Sequence, residues 1–194
     1  MYSDTSSTET DPEDFVEPEN ALPQTTLQQL PESLQAAAAL AGWTSLMPVQ
    51  ATAIPYVLAG RDLMVQSRTG SGKTGAFVLP ILERVEPGAG CQAIVLVPTR
   101  ELAKQVAAEA ELLGGAKGVH ATAIYGGVDY GPQIKAFKEG VALVIGTPGR
   151  ILDHLMKGTL SLDTLRLLIF DEADRMLSMG FFPDMKRLQG FLPA

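Results

Sequence analysis

The stretch DLMVQSRTGSGKTG, Asp62 to Gly75, joins a short apolar run to a string of small residues carrying a single lysine. Asp62–Gln66 has the length and apolar character of a buried strand, and a helical pattern over about 72–84 follows it. Between them Gly70, Ser71 and Gly72 leave the backbone bare. Without Cβ atoms a chain can curl so that consecutive N–H groups and the positive end of a helix point at one phosphate. In that arrangement Lys73 reaches the β and γ phosphates, and the Thr74 hydroxyl ligates Mg²⁺. Ser67 stands where the Gly-x-x-x-x-Gly-Lys-Thr pattern has its first glycine, and a flexible turn with a solvated lysine is the alternative.

Outward from this loop, four further runs read as strands: Gln92–Val97, His120–Ile124, Val141–Ile145 and Arg166–Phe170. Each is short, apolar or β-branched, and bounded by turn residues. Helical stretches are expected at about 31–41, 48–59, 72–84, 100–113, 130–139 and 148–157. Strand-helix-strand alternation with strands that lack polar positions predicts an α/β fold, an open, doubly wound, mainly parallel sheet flanked by helices. In such sheets ligands bind beyond the carboxyl ends of the strands, in the loops that follow them.

The loop after the last expected strand is Asp171-Glu172-Ala173-Asp174. A carboxylate at the end of an apolar strand beside a phosphate loop is placed to hold Mg²⁺, directly or through water, and Asp171 fits. Glu172 can orient and deprotonate an attacking water. Acidic residues also suit a helix start, so a solvated N-terminus is the competing explanation. Three other loops carry Pro98-Thr99-Arg100-Glu101, Gly126-Gly127 and Thr147-Pro148-Gly149-Arg150. Hydroxyls, bare glycine N–H groups, helix N-termini and guanidinium groups suit phosphate oxygens and sugar hydroxyls, with little reading of bases. Taken singly, the first is also a helix cap and the second a turn.

The net charge of −7 is unevenly spread. Residues 1–25 hold 7 of the 22 acidic residues and no Lys or Arg, so the remainder balances 15 acids against 15 bases. That segment is rich in Ser, Thr, Pro and acid, and is expected to be a disordered acidic tail. One cysteine, Cys91, rules out an internal disulfide framework and a multi-cysteine zinc site, and reads as a small core residue. His120 and His154 lack metal-ligand spacing and read as structural. No apolar run is long enough to span a bilayer, and a soluble, reducing, cytoplasmic setting is expected.

These segments, in this order and together with Gly42-Trp43 leading to Gln50 and Glu101-Leu102-Ala103 after Arg100, resemble the first RecA-like lobe of the DEAD-box ATP-dependent RNA helicases over about residues 26–194. The resemblance implies ATP and Mg²⁺ as cofactors, with nucleotide held by Gln50 and by Ser67, Arg68, Thr69, Gly70, Ser71, Gly72, Lys73 and Thr74. It makes Gln50 the reader of the adenine edge, Thr74 and Asp171 the Mg²⁺ ligands, and Glu172, Lys73 and Asp171 the catalytic set. Asp174 is assigned to coupling, and Thr99, Arg100, Gly126, Gly127, Thr147, Pro148, Gly149 and Arg150 to single-stranded RNA. Two positions depart from the family pattern: Thr25 stands where an aromatic usually packs on the base, and Leu46 where a proline is usual.

The family's Ser-Ala-Thr segment and its second RecA-like lobe do not occur within the 194 residues. The isolated lobe is therefore expected to bind nucleotide but hydrolyse it very slowly, because an arginine finger from the other lobe contributes about 10³ to 10⁵ in turnover in comparable enzymes. A truncated nucleotide-binding module that docks on another protein is the alternative function. A DNA helicase and a small-molecule kinase fit less of the pattern, the kinase leaving the Thr99-Arg100 and Thr147–Arg150 segments without a role.

Overall fold

The computed structural model describes residues 20–68 and 70–193. Four strands, β1 (Ala93–Leu96), β2 (Ala121–Ile124), β3 (Leu143–Gly146) and β4 (Leu167–Phe170), form one parallel sheet in the order β2-β3-β1-β4. Register is even across it: Ala93 stands beside both Leu143 and Leu167, and Ala121 beside Leu143. β1 and β3 are buried along their whole length, which is why they read as unbroken apolar runs.

Strand side chains alternate between two cores. Ala93, Val95, Leu143 and Ile145 face α1 (Glu32–Leu40), α2 (Pro48–Leu58), α3 (Lys73–Arg84) and α4 (Arg100–Gly114), packing on Leu34, Ile54, Leu79, Leu82 and Leu113. Ile94, Leu96 and Val144 face the other way. They pack on Ile151 and Leu155 of α6 (Pro148–Met156), Met176 of α7 (Ala173–Ser178) and Leu188 of α8 (Phe182–Gln189). α5 (Gly131–Lys138) follows β2. Cys91 is buried, and burial pushes its thiol up to about 12, as suits a core residue.

One expected strand does not form. Asp62–Gln66 has no ladder and lies exposed, with Met64 at 98% of its free surface. An apolar run becomes a strand only where a neighbour takes its N–H and C=O groups, and none does so here among the described residues. β4 pairs with β1 alone, leaving its other edge unpaired in the described sheet. Leu177 and Met179 are half exposed, whereas Met176 is fully buried, because the short α7 offers only one side to the sheet.

Residues 20–25, assigned above to the acidic tail, run along α2. Leu22 N–H donates to the Tyr56 hydroxyl at 2.9 Å, Gln24 to Thr52 at 3.1 Å, and Thr25 N–H to the Ala51 carbonyl at 2.9 Å. Residues 1–19 of that tail lie outside the described residues.

Candidate functional site

Because the strands are parallel, their carboxyl ends share one edge, and the loops leave it from neighbouring positions. The ladder runs one step into each: Val97 N–H donates to Gly146 at 3.0 Å, Thr147 N–H to Ile124 at 3.0 Å, and Asp171 N–H to Leu96 at 2.9 Å. Along the edge the sequence of loops is Gly126-Gly127, Thr147–Arg150, Thr99-Arg100, then Asp171-Glu172.

The glycine loop leads into α3. Gly70 and Gly72 take positive φ values of 77° and 87°, which let the chain reverse into the helix. The Lys73 ammonium donates to the Ser67 and Arg68 carbonyls at 2.6 and 2.9 Å, so its charge is held inside the loop. Ser67, where the pattern has glycine, hydrogen bonds its hydroxyl to that of Ser71 at 2.7 Å and so ties the two sides of the loop together. Thr69 lies outside the described residues. The Thr74 hydroxyl lies against Glu109 of α4, whose carboxyl burial pushes up and Thr74 pulls down.

Gln50 is buried and its amide is used in full view of the loop. Its oxygen accepts the Met47 N–H at 2.9 Å, capping α2, and its nitrogen donates to the Gly72 carbonyl at 3.0 Å. Trp43 closes the same corner: a Cβ on Gly75 would lie 2.3 Å from its ring and 2.6 Å from the Gln50 amide nitrogen. Gly75→Ala should therefore destabilise the chain by roughly 1–3 kcal/mol, the usual result of overpacking, read as a lower urea midpoint. An unchanged midpoint would show that Trp43 can move aside.

At the end of β4, burial and then the neighbouring Glu172 charge push the Asp171 carboxyl up, while a Glu172 backbone hydrogen bond and Lys73 pull it down. Lys73 and Asp171 therefore share one electrostatic site. Glu172 is the single non-glycine residue with positive φ among the described residues, at φ 53° and ψ 46°. This left-handed conformation is unfavourable for a residue with a side chain. It pairs with Arg175 at 3.1 Å. Asp174 lies exposed in the first turn of α7.

The remaining three loops touch one another. Thr99 caps α4 by accepting the Leu102 N–H at 3.2 Å. Arg100 reaches past β3 to the glycine pair: a Cβ on Gly127, whose φ is 80°, would meet its guanidinium at 2.8 Å. Pro148 is the first residue of α6 and is buried, while Gly149 is exposed. Arg150 donates from both terminal nitrogens to the Val128 carbonyl at 3.1 Å and stacks its guanidinium 4.1 Å from the centre of the Tyr130 ring.

Beneath Arg150 sit two buried polar residues that motif reading passed over as ligand groups, Gln133 and His154. Burial, then Arg150, push the His154 imidazole down; Asp153 pulls it up, and Lys157 again pushes it down. An imidazole that resists protonation only when folded costs stability as pH drops below its ordinary 6.5, since the unfolded chain then takes the proton more readily. The urea midpoint should fall between about pH 8 and pH 5, and fall less steeply in His154→Gln. Identical slopes would exclude His154 as a source.

The comparisons with known proteins bear on the same residues. The family model described as DEAD/DEAH box helicase matches residues 47–193. The chain belongs to the DEAD/DEAH box helicase family. It is 45% identical over 166 residues to a Haemophilus influenzae protein named ATP-dependent RNA helicase DeaD, covering 84% of this chain and 27% of that protein. A Klebsiella pneumoniae protein of the same name is 47% identical over 154 residues, covering 78% of this chain and 24% of its own. The chain thus spans about a quarter of the length of the curated relatives it matches. The crystal structure of a DEAD box protein from the hyperthermophile Methanococcus jannaschii superposes with a TM-score of 0.82 at 41% identity, covering 88% of this chain and 48% of that one. The DEAD/DEAH match takes in Gln50, the glycine loop, Asp171–Asp174 and all three of the other loops. Among the described residues no helix is long and apolar enough to cross a membrane, and no group of three or more His, Cys, Asp or Glu is placed to hold a metal.

Proposed function

We propose that this chain is the ATP-binding and RNA-gripping first lobe of a two-lobe ATP-dependent RNA helicase, in cytoplasm-like reducing surroundings. The observation that carries the reading is the convergence of Lys73, Asp171 and the Gly72 end of α3, held by Gln50, beyond the carboxyl edge of one parallel sheet. The names of the DeaD relatives point the same way.

In this reading the phosphates take the Lys73 ammonium from the Ser67 and Arg68 carbonyls, while the loop N–H groups and the α3 N-terminus supply further donors. The donor set suits Mg²⁺, a hard cation that takes one or two protein oxygens and completes its shell with water and phosphate. Thr74 and Asp171 offer such oxygens, and a cation relieves the unfavourable pairing of Asp171 with Glu172. When bound, Mg²⁺ neutralises charge developing on the γ-phosphate. Glu172, set apart by its left-handed backbone, orients and deprotonates the attacking water. Asp174 couples the nucleotide site to RNA. Gln50 reads adenine with the donor and acceptor capacity that its bonds to Met47 and Gly72 leave over, so base reading and loop geometry act on one amide. Thr99, Arg100, Gly126, Gly127 and Thr147–Arg150 hold the backbone of single-stranded RNA. A second RecA-like lobe supplies the other half of both sites, and the isolated lobe turns over slowly.

The test is displacement of a fluorescent ADP from the chain in Mg²⁺ by ATP, GTP and CTP. Displacement by ATP alone is expected. Equal displacement by all three removes the role given to Gln50, and no binding by a folded chain removes the nucleotide site.

A further inference from the structure

Arg150 is held by three residues, Val128, Tyr130 and Gln133, none of them on its own helix α6. Gln133, on α5 and 5% exposed, donates its amide nitrogen to the Tyr125 carbonyl at 3.1 Å. Its oxygen is shared by the Arg150 guanidinium at 3.3 Å and by His154 Nε2 at 2.8 Å. A backbone carbonyl only accepts and a guanidinium only donates, so the amide orientation is set by both neighbours. His154 Nε2 must then carry the proton, while Nδ1 lies 2.8 Å from the Thr159 hydroxyl, which donates to the His154 carbonyl at 3.1 Å. Tyr125 directly precedes Gly126, and Val128 directly follows Gly127. The turn between them is thus gripped at both ends, by Gln133 on one side and by Arg150 on the other.

We propose that Gln133 and His154 are positioning residues for RNA binding: the pair orients Arg150 so that its guanidinium clamps Val128, and the Gly126-Gly127 and Thr147–Arg150 loops present their groups to RNA as one rigid ledge. This rests on the reading of those two loops as RNA contacts. In this arrangement most of the Arg150 donors are spent inside the protein, on Val128 and Gln133. Its charge still adds to the ledge, but its contribution to affinity comes largely through the shape of the glycine turn.

The test uses the ¹⁵N-labelled chain titrated with oligouridylate at low salt. Gln133→Leu is expected to move the Gly127 and Val128 amide signals and to weaken oligouridylate roughly ten-fold, with ADP affinity unchanged. In an Arg150→Ala background the same substitution should cost nothing further. Full additivity of the two losses overturns the proposal, as do Gly127 and Val128 signals that stay in place. If the unaltered chain binds no oligouridylate, the RNA reading of these loops fails, while the amide signals still judge the positioning. If Gln133→Leu does not fold, the ring ¹⁵N shifts of His154 in the unaltered chain decide. Protonated Nε2 with bare Nδ1 is expected, and the opposite tautomer overturns the arrangement.

Discussion

Lys73→Ala should weaken ADP and ATP binding by roughly 100-fold or more while leaving the fold intact. Among the described residues the ammonium is the only side-chain cation with hydrogen bonds into the glycine loop, at 2.6 and 2.9 Å from the Ser67 and Arg68 carbonyls. A charge-assisted bond to phosphate is worth about 1.5–3 kcal/mol, and Lys73 can make two or more. Loss of the lysine also frees two carbonyls that face the same space, and these repel an anion. Stability should change little, because Lys73 is partly exposed and Ser67–Ser71 still ties the loop. The readout is a fluorescent ADP titration beside a urea midpoint. Nucleotide affinity within three-fold of the unaltered chain would mean that the loop amides bind phosphate alone and that Lys73 is a structural brace.

Glu172→Gln, placed in the two-lobe protein, should lower RNA-stimulated turnover by about 10² to 10⁴, the usual contribution of a general base, with ATP affinity retained. The substitution keeps size and backbone and removes the negative charge, and with it the ability to accept a proton. Its structural cost is small, since the ion pair with Arg175 is partly exposed and such pairs are worth little. The left-handed backbone supplies an independent check. Glycine adopts φ near 53° freely, so Glu172→Gly should raise stability by roughly 1 kcal/mol while also losing turnover. A residue that strains the backbone and gains nothing catalytic would behave differently: turnover would survive both substitutions. Single-turnover hydrolysis and a thermal melt measure the two effects separately.

Much of the architecture was legible from pattern. Helices expected at 48–59, 72–84, 100–113 and 148–157 appear at Pro48–Leu58, Lys73–Arg84, Arg100–Gly114 and Pro148–Met156. Pro at the first turn, Gly42 after α1, the Thr99 cap and the 3.6-residue period are local signals, written within a few residues of where they act. The same holds for β1 and β3, whose unbroken apolar runs announce burial on both faces. Asp62–Gln66 carries an equally good strand signal and is not one, because pairing is a property of the neighbour as well as of the run.

The site divides in the same way. Composition and spacing were enough to single out as candidates Asp171, Glu172 and the hydroxyl, glycine and arginine groups of the other loops, since each follows a strand end that could be read; the glycine loop and Lys73 were singled out by residue type alone, because the run before them is not a strand. Its working contacts join residues far apart in the chain: Gln50 to Gly72, Trp43 to Gly75, Arg100 to Gly127, and Gln133 to Arg150 and His154. No local rule singles out Gln133 from other glutamines, or tells that Glu172 will take a left-handed backbone. Residue type and period alone determined the alternation of β1–β4 with α1–α6, the parallel sheet and the edge where chemistry gathers, but not α7, α8 or the absence of a strand at 62–66. Only the tertiary structure decided which polar groups are spent on holding the loops and which are left to face a ligand, because that choice depends on what packing brings within 3 Å of each side chain.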